Sequence, residues 1–161
     1  MSNLFTRLKK FGIKRIICYY DFIISLILVF LVILLIRDKV LSSETIDQML
    51  NVVISVSITL ATLILAGFSL IVSFTDVNFI KFLKKAEVYE NILFNFEFVI
   101  YVAFITFILA TVTKIIYFNE YIYLSIFFLF PYLILTTLSL ISYITTYGIK
   151  RSEFVEAIEK K

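Results

Sequence analysis

The sequence contains no histidine and no tryptophan, one cysteine (Cys18), one proline (Pro131) and three glycines among 161 residues. The absence of histidine removes the commonest general base and transition-metal ligand, and a single cysteine cannot form an intrachain disulfide. Neither a glycine-rich phosphate loop nor a metal-ligand spacing occurs. We therefore predict that the chain is not an enzyme, has no catalytic residue, and binds neither a metal nor a cofactor.

What the sequence has instead is apolar side chain, which makes up 61% of the residues and gives a mean hydropathy of +1.03. Its charged residues sit in clusters between long uncharged runs, whereas a soluble helical domain would spread them along every helix. This pattern predicts an all-α integral membrane protein, folded as one domain with the lipid bilayer as its solvent. The basic residues that give the net charge of +3 adjoin apolar runs, so we expect them to face lipid phosphates, with no direct contact to nucleic acid.

Four apolar runs predict a membrane-embedded four-helix bundle. The first run, 22–36, reaches only about 22 Å as a helix, so we extend that span to residue 16. Asp21 then lies near the cytoplasmic interface, where we expect it to be paired with a cation or hydrated. The predicted spans are 16–36, 52–74, 98–118 and 122–147, and the predicted cytoplasmic segments are 1–15, 75–97 and 148–161.

The orientation follows from the distribution of lysine and arginine. Of the 15 such residues, only Arg37, Lys39 and Lys114 lie outside the N-terminal segment, the central loop and the tail. Because cations accumulate on the cytoplasmic side of a membrane protein, we predict that both termini and the central loop are cytoplasmic.

Two of the predicted spans carry small residues at steps of three and four, which places them on one helix face. Such stripes let helix backbones approach closely in a membrane, so we predict a seam for packing within the chain or between copies. In the second span the stripe is Ser55, Thr59, Thr62, Ala66, Ser69 and Ser73, and in the third it is Ala103, Thr106, Ala110 and Thr113.

The fourth span has a similar rhythm of more polar residues: Tyr132, Thr136, Ser139, Tyr143 and Thr146. Two interpretations remain open for this stripe. It is either a helix-packing seam or the lining of a narrow, uncharged water path. The first span has only Ser25 among bulky apolar residues, so we expect that helix to lie at the periphery of the other three.

The cytoplasmic segments have features of their own. Apolar residues recur at helical spacing through the central loop, which predicts an amphipathic helical segment there, and Ser152 suits the N-cap of a short helix in the tail. We predict that these segments contact a cytosolic protein partner or lipid. The candidate contact residues are Phe79, Lys81, Phe82, Lys84, Lys85, Phe154 and Ile158.

The run 59–75, TLATLILAGFSLIVSFT, together with the topology and the short basic tails, resembles the small four-span membrane subunits of bacterial anti-phage defence systems, such as the membrane component of Kiwa. That resemblance implies a homo-oligomer in the bacterial cytoplasmic (inner) membrane that senses or perturbs the membrane and works with a cytosolic partner. It carries over no functional residue. The alternative hypothesis is a small pore or permease component with its path along the fourth helix.

Overall fold

A computed structural model describes residues 20–37, 43–73, 79–81, 83, 88–116 and 120–159. All of them except Ile116 are helical, as the composition predicted. The four long helices are α1 (Tyr20–Arg37), α2 (Ser43–Ser73), α3 (Val88–Ile115) and α4 (Glu120–Glu159).

Three of these helices are long and apolar enough to cross a membrane. Their apolar stretches are Glu44–Ser73, Tyr89–Ile115 and Tyr121–Ile149, whereas that of α1, Tyr20–Leu35, is shorter. The chain is therefore a helical membrane protein. Residues 16–19, which complete the first predicted span, lie outside the described residues.

Three helices extend beyond the spans that the sequence predicted. Helix α2 begins at Ser43 instead of 52. Helix α3 begins at Val88 instead of 98, so its first ten residues lie in the central loop, where the spacing predicted a helical segment. The side chains of Ile92 and Phe96 in this stretch are buried in the core. Helix α4 continues to Glu159, so the prediction of a separate tail helix capped by Ser152 is wrong. A single interior glycine costs a helix only about 1 kcal/mol, and Gly148 is too small a perturbation to end α4.

The helices pack in a definite order. The largest contact joins α2 to α3, followed by α3 with α4 and α1 with α4, while α2 and α4 touch over a smaller area. Helix α1 is thus held mainly by α4, in agreement with its expected place at the periphery. A core cluster including Ala61, Phe96 and Leu133 lies between α2, α3 and α4, and a smaller cluster around Ala110 and Ile126 continues it toward the other end.

Two contacts set the register of α2 and α3. At one end of the bundle Lys114 Nζ donates a hydrogen bond to Asn51 Oδ1, and toward the other end the rings of Phe68 and Phe96 lie 5.4 Å apart. The two helices are therefore antiparallel. Lys114 lies in the last turn of α3, and it is exposed there, where a long amine can reach the bilayer surface.

Candidate functional site

Helix α2 has two opposite faces, and among the described residues only one of them is packed against other helices. Its inward face buries Leu50, Val53, Ser57, Ala61 and Ile64, which recur at steps of three and four as a helix interface requires. The four apolar residues among them, Leu50, Val53, Ala61 and Ile64, pack in the core that α2 shares with α3 and α4. The intramolecular contacts of α2 thus use a face that the stripe of small residues does not include.

The small-residue stripe of α2 lies on the outward face. The structure leaves all six of its members exposed: Ser55, Thr59, Thr62, Ala66, Ser69 and Ser73. The hydroxyl groups of Thr59, Thr62 and Ser69 each donate to the backbone carbonyl four residues earlier, at 2.7–2.9 Å. Because their donors are satisfied inside the helix, these hydroxyls add little polarity to the surface. We call this face the outward groove.

Bulky side chains border the outward groove on both sides. Leu63 and Leu70 are 62% and 57% exposed on one side, and Leu65 and Val72 are 42% and 49% exposed on the other. The outward groove is therefore a shallow channel between two apolar ridges, and no other described residue covers it.

The corresponding stripe of α3 faces the interior of the bundle. Ala103, Thr106, Ala110 and Thr113 are all buried, at positions where α3 packs against its neighbours. Thr106 satisfies its hydroxyl by donating to the carbonyl of Val102 at 2.7 Å. This half of the predicted seam is an intramolecular packing surface.

A few buried polar atoms in the interior have no hydrogen-bond partner among the described residues. They are Ser57 Oγ, Asn95 Nδ2 and Thr113 Oγ1. Buried polar groups normally form hydrogen bonds. Most hydroxyl groups in the described helices donate to a carbonyl of their own helix, and these three atoms are exceptions.

The polar stripe of α4 is largely covered. Tyr132 and Thr136 are buried, Ser139 and Tyr143 are partly buried, and Thr146 is exposed. The Tyr132 ring lies 6.2 Å from that of Phe22 on α1 and 6.3 Å from that of Phe98 on α3. Aromatic packing therefore occupies this part of the stripe.

One polar contact joins α1 to α4. Ser139 Oγ donates a hydrogen bond to Asp21 Oδ2 at 2.9 Å, and Ser25, fully buried, donates to the Asp21 backbone carbonyl at 2.7 Å. The sequence singles out Asp21 as the one carboxylate inside an apolar run, but it does not indicate Ser139 as its partner. The contact depends on how α1 docks on α4, which the sequence pattern does not indicate.

The residues predicted to contact a partner also differ in their exposure. Phe79 is buried in the protein's own core, with its ring 5.4 Å from that of Tyr147, so it does not present a surface to a partner. Lys81 is exposed. Phe82, Lys84 and Lys85, and the side chains of Phe154 and Ile158, lie outside the described residues.

No three His, Cys, Asp or Glu side chains in the described part of the chain are grouped so as to hold a metal ion. The chain matches no protein-family model, and it has no significant similarity to the curated proteins or the solved structures with which it was compared.

Proposed function

We propose that this chain is a non-enzymatic, self-associating membrane subunit that couples an event in the bilayer to a cytosolic partner. The observation that supports self-association is the outward groove of α2. Lipid tails are as apolar as the helices, so association in a membrane depends on close packing and not on hydrophobicity alone. A face of serine, threonine and alanine suits close packing, and the residues that the structure describes leave it exposed.

The proposed occupant of the outward groove is a second copy. Its two bordering ridges, with Leu63 and Leu65 among them, give the groove the shape into which a neighbouring helix fits. The homo-oligomer expected from the resemblance to anti-phage membrane subunits agrees with this assignment. In that setting the subunit senses or perturbs the bacterial cytoplasmic membrane during infection.

The proposed topology has four spans with both termini in the cytoplasm. The basic residues support it, because they concentrate in the N-terminal segment, the central loop and the tail. A single-cysteine version of the protein tests this orientation. With Cys18→Ser as background, Lys81→Cys should react with a membrane-impermeant thiol reagent only after the inner membrane is opened. Labelling in intact spheroplasts would contradict the topology.

Coupling to a cytosolic partner is proposed for the end of the bundle that carries Lys81 and the last part of α4. Helix α4 continues as a helix from Ile149, where its apolar stretch ends, to Glu159. A helix that leaves the bilayer without interruption gives a partner a firm docking element. Exposed Lys81 is the suitable residue to alter here, because changing buried Phe79 would disturb the core.

Native mass measurement in mild detergent tests self-association. We expect the wild-type chain to appear as a homo-oligomer, and Thr62→Leu combined with Ala66→Leu to shift it to monomer, because the added side chains fill the outward groove. The matched control is Thr145→Leu on α4. Thr145 is also exposed and also donates to a carbonyl four residues earlier, at 3.1 Å, so this variant should keep the oligomer.

A strictly monomeric wild-type protein would defeat the proposal. An oligomer that survives Thr62→Leu and Ala66→Leu unchanged would place the interface elsewhere.

The second candidate function is a small pore or permease component with a path along α4. The observation in its favour is that the Asp21 carboxylate meets the polar stripe at Ser139. Ion flux into liposomes tests this candidate. If Thr136→Leu and Ser139→Leu leave the flux unchanged, the stripe serves packing.

A further inference from the structure

The two core clusters of the bundle divide on α4 at Pro131, the single proline of the sequence. We call them the large and the small core cluster. On α4 the large core cluster holds Tyr132, Leu133, Leu140 and Tyr147. The small core cluster holds Ile126, with Ile122, Tyr123 and Phe130 packed against it. The boundary between the clusters and the proline therefore coincide.

On α2 and α3 this boundary contains buried hydroxyl groups. Residues 55–59 of α2 and 104–108 of α3 separate the two clusters, and each stretch holds one fully buried hydroxyl residue, Ser57 or Thr106. Ser57 Oγ has no hydrogen-bond partner among the described residues, and Thr106 donates within its own helix. In the described part of the chain neither hydroxyl links two helices, so this layer holds the helices together less firmly than the apolar clusters on its two sides.

A proline weakens a helix at its own position. Pro131 has no N–H group, so the carbonyl of Phe127 receives no hydrogen bond from it, and the proline ring crowds that carbonyl. Prolines are among the few causes of sharp bends in helices. Because the core also divides here, α4 can bend at Pro131 without opening either cluster.

Helix α4 also has a length that favours bending in a membrane. Its stretch Tyr121–Ile149 has 29 residues and no charge, which corresponds to about 43 Å of straight helix against about 30 Å of hydrocarbon. Membrane helices accommodate excess length by tilting or kinking. On α3 the charged residues Glu97 and Lys114 enclose a much shorter uncharged run. A bend lets one part of α4 tilt while the other part stays aligned with α3.

One residue of α1 packs across the proline. The Phe22 ring lies 5.2 Å from the ring of Phe128, which precedes Pro131. It also lies 6.2 Å from the ring of Tyr132, which follows the proline, and those two rings of α4 stack on each other at 5.8 Å. Bending α4 changes the spacing of these rings, so the contacts of Phe22 oppose the bend.

We propose that Pro131 is a hinge between two parts of α4, and that Phe22 on α1 restrains this hinge. The parts are residues 120–130 and 132–149. Each is held by its own core cluster, and the angle between them changes when the thickness of the bilayer changes. The docked helix α1 limits the range of that angle. The hinge requires that the protein lies in a membrane, but it does not require self-association, so it is separate from the outward groove.

Solid-state NMR of the full chain in aligned bilayers tests the hinge, because backbone amide signals report the tilt of each part of α4. Phosphatidylcholine with short or with long acyl chains provides two thicknesses. In the wild type we expect the angle between the parts to differ by about 10–20° between the two bilayers, within the tilt range of membrane helices. In Pro131→Ala, which restores the missing N–H group, the angle should be the same in both. The matched control is Leu138→Ala, which trims an exposed side chain of α4 and should respond as the wild type does.

Phe22→Ala tests the restraint. Without this ring the angle should change more between the two bilayers than it does in the wild type. Adding Pro131→Ala should abolish the increase, because no hinge is left to restrain. The matched control is Phe30→Ala, which removes the same ring from a position of α1 that is 60% exposed and should leave the response unchanged.

Three results would overturn the proposal. A wild-type angle that is the same in both bilayers would exclude the hinge, and a Pro131→Ala protein that responds as the wild type does would place the bend elsewhere. A response that Phe22→Ala leaves unchanged would remove the restraint. The native mass of the outward-groove variants bears on none of these measurements, so the hinge and self-association can fail separately.

Discussion

The stripes of small residues on α2 and α3 have the same spacing and nearly the same composition, yet one is exposed and the other is buried. The α3 stripe is buried where that helix meets its neighbours, and the α2 stripe faces outward while a different face of α2 packs in the core. Spacing therefore identifies a face suited to close packing, but it does not identify the helix that covers that face. An uncovered stripe is where an oligomer interface is to be sought.

The same substitution in both stripes should have the largest difference in effect. We expect Ala110→Leu to lower the free energy of unfolding by about 1–3 kcal/mol, because a larger side chain at a fully buried position overpacks the core. Ala66→Leu in the outward groove should change the stability of the isolated monomer by no more than about 0.5 kcal/mol. Unfolding in detergent, followed by circular dichroism, measures both.

Equal losses for the two alanine variants would mean that the outward groove is covered within the monomer. If neither variant lost stability, the α3 stripe would have space for a larger side chain, and the two stripes would not differ in packing.

A smaller effect separates the hydroxyls of the two stripes. Thr113 is buried, and its hydroxyl has no hydrogen-bond partner among the described residues, so replacing it by valine of similar shape should stabilise the protein by about 1 kcal/mol. Thr62 is exposed and donates to Ile58 at 2.9 Å, and Thr62→Val should leave the stability of the monomer nearly unchanged. If Thr113→Val destabilises the protein, its hydroxyl has a partner, such as an internal water molecule.

The smallest expected effect concerns the polar pair that links α2 to α3. Lys114 donates to Asn51 at an exposed position, and exposed polar pairs contribute little. Lys114→Met should therefore lower the free energy of unfolding by only about 0.5 kcal/mol, with Lys81→Met as the exposed control. A loss as large as that of Ala110→Leu would show that this pair, and not the inward face of α2, holds the two helices together.

Much of the fold follows from the sequence. The apolar runs predict helices of membrane-spanning length, and the bulky composition of α1 predicts its peripheral place. The inward face of α2 could not be predicted, because the surface that faces lipid is as apolar as the interior, so polarity does not tell the two sides apart. The uninterrupted path of α4 past Ser152 was missed for a different reason: a good N-cap residue acts as a cap only where a helix begins.

The site was less predictable than the fold. Asp21 stands out in the sequence because it is a carboxylate in an apolar run, and Ser139 belongs to the predicted stripe of α4. Their contact depends on the docking of α1, which no local pattern indicates. Phe79 was predicted to contact a partner, but tertiary packing buries it in the protein's own core. The spacing of apolar residues in the loop does not reveal that packing.

Helix α4 has a mechanical consequence. Its 40 residues, with Pro131 inside the helix, extend about 60 Å along the helix axis, roughly twice the thickness of the hydrocarbon layer. From Leu135, near the middle of the apolar stretch, to Glu159 the lever arm is about 36 Å. A change of tilt of about 10°, within the range that membrane helices adopt, would swing the far end by about 6 Å. A modest rearrangement among lipids thus becomes a displacement large enough to engage or release a protein in the aqueous phase.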